Sequence, residues 1–136
     1  MTSKIAHCVL LADRRHGLTE GVRSLLETMF DAVVMVADET SLAESAARLQ
    51  LEVAVVDVSL ARGNSLRWLT QLHDRCPGVK LIVLSVHDEP SVRQAALEAG
   101  ALAFVLRRAI ATDLLSVVEA VLAGPVPPPD PPKGLN

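Results

Sequence analysis

Asp57 closes an otherwise apolar run, Val53-Ala54-Val55-Val56-Asp57. A carboxylate in that position is costly unless it is paired, solvated or put to use. Three other polar positions stand in the same relation to apolar runs. Asp13 comes just after residues 5–11, Ser85 follows 79–84, and Arg107 with Arg108 follow 102–106. Two acids, a hydroxyl and a guanidinium brought together would suit a phosphoryl group and a divalent cation. Carboxylates bind hard Mg²⁺, a hydroxyl donates to a phosphoryl oxygen, and a fixed cation offsets the negative charge. Each residue also has a plain structural use. Asp13 could cap the helix after it, Asp57 could open a turn, Ser85 could end a strand, and the arginines could be surface residues.

The elements that must position these side chains follow from the hydrophobic pattern. Five short apolar runs, at residues 5–11, 32–37, 53–56, 79–84 and 102–106, are continuous rather than alternating and rich in β-branched residues. That pattern suits strands buried on both faces of a parallel sheet. Their starts lie about 21–27 residues apart, too far for hairpins and right for strand–helix crossovers. The intervening stretches have helical periodicity: Leu18, Val22, Leu25, Leu26 and Met29; Leu42, Ala46 and Leu49; Leu66, Leu69 and Leu72; Val92, Ala95, Ala96 and Ala99; Leu114, Val117, Val118, Val121 and Leu122. Pro90 can open a helix, Thr112 can cap one, and Gly78, Gly100 and Gly124 stand where helices should stop. The expected fold is (βα)5, an open doubly wound α/β domain. In such a fold the carboxyl ends of the strands share one edge, so the four polar positions gather there.

Composition narrows the function. The chain has 136 residues, of which 50% are hydrophobic and 21% charged, enough for one well-formed core. Its formal net charge is −3, and it has one Trp, two Phe and no Tyr. Neither a phosphate-backbone footprint nor a base-stacking platform is present, so this domain is not expected to bind nucleic acid directly. No apolar run approaches the ~20 residues of a membrane span, and the N-terminal residues lack a secretory pattern. Cys8 and Cys76 have no metal-ligand spacing and read as reduced thiols of a cytoplasmic protein. Residues 125–136 hold six prolines and read as an extended tail or linker after a domain spanning 1–124.

In combination, Leu10-Leu11-Ala12-Asp13, Glu20-Gly21-Val22-Arg23-Ser24-Leu25-Leu26, Val55-Val56-Asp57-Val58-Ser59-Leu60, Leu84-Ser85-Val86-His87-Asp88 and Glu98-Ala99-Gly100-Ala101-Leu102-Ala103-Phe104-Val105-Leu106 resemble the receiver domain of bacterial response regulators. The nearest kind is the receiver that precedes a LuxR/NarL-type helix-turn-helix output domain. The resemblance covers residues 5 to about 124. It implies a CheY-like, flavodoxin-like sheet of order 2-1-3-4-5 and a signalling module rather than an enzyme. It implies that Asp57 accepts a phosphoryl group from a sensor histidine kinase. Mg²⁺ would be held by Asp13, Asp57 and the Ser59 backbone carbonyl. Ser85 would contact the phosphoryl group, Phe104 would follow it as the switch aromatic, and the fourth helix, fifth strand and fifth helix would form the signalling face. A homodimer through that face, and a DNA-binding output domain if the natural chain is longer, belong to the same analogy.

Three departures bear on that expectation. Arg14 stands where the family has a second acid, exchanging a metal ligand for a positive charge. At an effective dielectric of ~20, a unit charge ~4 Å away is worth on the order of 4 kcal/mol. Arg14 is therefore a candidate for blocking the metal site. Arg107 stands where the family has a lysine, and a planar fork is not equivalent to a compact ammonium at a phosphoryl site. It could instead grip Asp57 as a bidentate ion pair. Finally, Ala61-Arg62-Gly63-Asn64-Ser65 replaces the usual Pro-Gly-Met-Asp-Gly turn. The alternative function is thus a pseudo-receiver, a phosphorylation-independent protein-interaction module. A haloacid-dehalogenase-like phosphatase would need a second aspartate two residues after Asp57, where this chain has Ser59.

Overall fold

Continuous β-branched runs bury both faces of a strand only if helices cover the sheet on both sides, and the chain folds that way. The computed structural model describes residues 6–14, 20–49, 51–60, 66–86 and 88–123. Five strands, β1 (Ala6–Ala12), β2 (Phe30–Val36), β3 (Val53–Asp57), β4 (Lys80–Ser85) and β5 (Ala103–Leu106), alternate with five helices. The helices are α1 (Glu20–Leu26), α2 (Glu39–Arg48), α3 (Arg67–Arg75), α4 (Pro90–Glu98) and α5 (Ile110–Leu122). All strand pairs are parallel, and the sheet order is β2-β1-β3-β4-β5. The expected doubly wound topology is therefore the observed one, with its switch point between β1 and β3.

Alternation along each strand divides the core into two layers. Val9, Leu11, Val53, Val55, Ile82, Leu84 and Val105 meet Val22 and Leu26 of α1 and Leu114, Val118 and Val121 of α5. On the other face, Leu10, Ala12, Ala54, Val56, Leu81 and Val83 meet Leu42 and Ala46 of α2, Leu69 and Leu72 of α3, and Ala96 of α4. Each fully buried Leu, Val or Ile contributes roughly 1.5–3 kcal/mol of transfer free energy. These layers are what hold the strand ends in register.

The local signals held in most places. Asp38 caps α2 by accepting from Ser41 N at 2.7 Å, and Pro90 occupies the first turn of α4. Gly100, just past α4, has φ +114°. An ideal Cβ there would lie 2.6 Å from the His73 ring, so both backbone and space demand glycine. Three details differ. β2 begins at Phe30, ahead of the expected run, because the fully buried Phe30 belongs to the α1/α5 layer. Thr112 does not cap α5; a 3₁₀ turn, Arg107–Ala109, leads into that helix, and the Thr112 hydroxyl donates back to Ala109 O at 3.1 Å. Ala95 is exposed, whereas Ala96 and Ala99 are buried.

Cys8 and Cys76 are free and half-buried, and burial pushes the Cys8 thiol up. No helix among the described residues is long and apolar enough to cross a membrane. Leu18, the turn 61–65, Gly124 and the Pro-rich stretch 125–136 lie outside the described residues.

Candidate functional site

Strand register brings the polar positions together. Ala12 pairs with Val56, so Asp13 stands level with Asp57 at the carboxyl edge of β1 and β3. Asp57 pairs with Leu84, which sets Ser85 one residue further along, and Ser85 pairs with Leu106, directly before Arg107. The backbone of Asp13 is fixed by its N–H donating to Val36 O at 3.1 Å. Asp13 and Asp57 are each 1% exposed and Ser85 is fully buried. Two carboxylates at that depth demand compensation, because unpaired buried charge costs several kcal/mol per ion.

Each of the four carboxylate oxygens receives a donor from Arg107 or Ser59. Arg107 Nε donates to Asp57 Oδ2 at 2.7 Å, and Arg107 Nη2 donates to Asp13 Oδ2. Ser59 N donates to Asp57 Oδ1 at 2.8 Å, and the Ser59 hydroxyl donates to Asp13 Oδ1 at 3.3 Å. The guanidinium thus bridges the two acids with one nitrogen on each, rather than gripping Asp57 alone in a bidentate pair. It is itself largely buried, with 12% side-chain exposure. Burial pulls its pKa below the usual arginine value, but a guanidinium stays charged at any physiological pH.

Ser59, expected at the site through its backbone carbonyl, also reaches the acids through its N–H and hydroxyl. The contact from its N–H to Asp57 Oδ1 is an Asx-type turn leading into the 3₁₀ turn Val58–Leu60. The Asp-x-Ser spacing was the available signal for this role. Arg14 is exposed and lines a surface cavity of about 340 Å³ with Ala37, Asp38, Glu39, Thr40 and Leu60. The guanidinium that closes on the carboxylates belongs to Arg107, not to Arg14.

This geometry bears on the expected Mg²⁺. Such an ion needs near-octahedral oxygen ligation. Here Arg107 holds Oδ2 of both acids, and the next position after Asp13 supplies a cation instead of a third carboxylate. Among the described residues, no cluster of three His, Cys, Asp or Glu could hold a metal. The residues present do not fit a divalent cation as they stand.

Beyond the acids, β5 and its following turn are tied to α4. Arg93 lies over the Phe104 ring with its Cζ 5.0 Å from the centroid, and Arg108 Nη2 reaches Asp88 Oδ2 at 3.3 Å. Phe104 is half-buried against the α2/α3/α4 layer. Sequence reasoning singled out Phe104 and Arg108 but not their partners. An arginine within α4 carries no signal of which ring it will cover.

Comparison with known proteins agrees with the topology. Residues 9–119 match the response regulator receiver domain. The transcriptional regulatory protein DegU of Brevibacillus brevis is 28% identical over 118 residues, which span 85% of this chain and 50% of DegU. UhpA of Salmonella typhimurium is 36% identical over 74 residues, spanning 54% of this chain and 36% of UhpA. This chain therefore spans half or less of the length of these curated relatives. Among solved structures, RcsB of Salmonella typhimurium superposes with a TM-score of 0.79 at 24% identity, covering 88% of this chain and 61% of that one. The receiver domain of the putative regulator NarL from Mycobacterium tuberculosis gives 0.77 at 21% identity, covering 91% and 100%. Strand order, the acids at the β1–β3 edge and the span of the match make this chain a member of the response-regulator receiver family.

Proposed function

We propose that this chain is the regulatory module of a transcriptional response regulator and that it signals by protein contact with its Asp57 pocket held closed, without phosphoryl uptake. The observation that carries this reading is the Arg107 fork on Asp13 and Asp57. An incoming phosphoryl group must approach an Asp57 oxygen in line, yet Oδ2 is bonded to Arg107 and Oδ1 to Ser59 N. Phosphoryl transfer relies on positioning and on charge neutralisation, usually by a metal ion. The described residues offer no fitting metal site for that purpose. What remains is a fixed surface of α4, β5 and α5 that a partner or an attached output domain can read. Its place would be the cytoplasm, where DNA-bound regulators act.

A second reading keeps Asp57 as the phosphoacceptor of a sensor histidine kinase. It is favoured by the gathering of Asp13, Asp57 and Ser85 at one sheet edge, with Phe104 on the neighbouring strand. On that reading Arg107 would have to release both acids before transfer.

Incubation with phosphoramidate or acetyl phosphate and Mg²⁺, followed by intact mass measurement, separates the two. The closed-pocket reading expects unmodified protein, and expects an adduct in Arg14→Asp/Arg107→Lys. A single phosphoryl adduct on the wild type that is lost in Asp57→Ala would establish the second reading.

A further inference from the structure

We infer that Arg107 is the resident cation of the Asp13–Asp57 pocket, occupying the place of a divalent ion and excluding one. The inference deepens the closed-pocket reading and rests on it, but concerns metal binding alone. All four carboxylate oxygens already receive a donor, two from Arg107 and two from Ser59. To bind a divalent ion through Asp13 and Asp57, the protein must surrender at least the two Oδ2 contacts and place the guanidinium elsewhere.

The fold opposes that release. Arg107 opens a 3₁₀ turn directly after β5, whose last residue, Leu106, is paired with Ser85. The backbone from which the fork springs is therefore fixed by the sheet. The next residue, Arg108, makes a separate, exposed contact with Asp88. Arg107 is largely buried, and its planar fork spans two separated carboxylates as a point-like ammonium would not. Arg14 adds a further positive charge beside Asp13, on the exposed side. The pocket is consequently an ionic bridge between β1, β3 and the end of β5, in which one guanidinium offsets part of the charge of two carboxylates and the neutral Ser59 donors serve the other oxygens.

The test is Mn²⁺ titration of the chelator-treated full chain, read by paramagnetic broadening of the Asp57 and Ser59 amide resonances, with Mg²⁺ as competitor. The wild type is expected to show no saturable, Mg²⁺-competed broadening at about millimolar ion, the range of weak divalent sites. In Arg14→Asp/Arg107→Lys, a saturable site at the same amides is expected, with half-saturation at least about tenfold lower than any residual wild-type effect. Saturable broadening in the wild type would overturn the inference whatever the variants do. A folded double variant that still binds no ion would also overturn it, because Arg14 and Arg107 would then not be what excludes the metal. The two claims fail separately. A wild type that takes up phosphoryl without binding Mn²⁺ defeats only the functional reading; one that binds Mn²⁺ yet stays unmodified defeats only this one.

Discussion

Arg107 lies fifty residues beyond Asp57 in the chain, yet its Nε rests 2.7 Å from Asp57 Oδ2 while its Nη2 holds Asp13. One side chain from the end of β5 therefore joins three strands at the edge where the sheet changes winding direction. The contact neutralises part of the charge that the fold buries at Asp13 and Asp57. It also occupies one of the two Asp57 carboxylate oxygens.

Arg107→Ala should be among the most destabilising single changes at the site. Removing one partner of a buried ionic group leaves the remaining charges uncompensated, at a cost of about 3–5 kcal/mol. Urea denaturation of the wild type and the variant measures this directly. A loss below about 1 kcal/mol, the worth of an exposed pair, would mean that the fork is not maintained in solution.

Asp38→Ala should weaken α2 in a pH-dependent way. Hydrogen bonds from Ser41 hold the Asp38 carboxyl below its ordinary pKa. A group whose folded pKa is depressed contributes stability above its unfolded value, near ~3.9, and loses it as pH falls through the folded value. Thermal melts should therefore separate the two proteins at neutral pH and converge at strongly acidic pH. A gap that widened on acidification would contradict the cap.

Gly100→Ala meets two obstacles, a φ of +114° and the His73 ring. Forcing a side chain into such a backbone region costs of order 1–3 kcal/mol. His73→Ala combined with Gly100→Ala should recover the steric part and leave the backbone part, so the double variant should be more stable than additivity allows. Strict additivity of the urea midpoints would show that ring and glycine do not meet.

Arg93→Ala should cost only about 0.5–1 kcal/mol, as expected for an exposed cation over an aromatic face. Its clearer effect should be on the Phe104 ring, whose proton shifts should move while those of the α1/α5 layer stay fixed. Unchanged Phe104 shifts would remove Arg93 from the α4–β5 contact.

Much of this was legible in the sequence because the fold depends on patterns that repeat. Continuous runs such as 53–56 and 79–84 marked the strands, and polar residues ending those runs marked Asp57 and Ser85. The choice between Arg14 and Arg107 as the cation on the acids was not legible. Both are near the sheet edge in sequence terms, and only the pairing of Ser85 with Leu106 aims Arg107 at the carboxylates. Ser59 was legible near the site, whereas the donor contacts of its N–H and hydroxyl were not. The local turn after Asp57 decides that, and no periodicity encodes it. The start of α5 was missed at Thr112 because the 3₁₀ turn Arg107–Ala109 leaves no side-chain cap to recognise.

The most direct test of the closed pocket is the ¹⁵N–¹H resonance of Arg107 Nε at neutral pH. A fork engaged as described should give a downfield Nε–H signal, protected from solvent exchange, unmoved by added Mg²⁺ and strongly shifted in Asp57→Asn. A rapidly exchanging Nε–H at the ordinary arginine position, or one displaced on adding Mg²⁺, would contradict it.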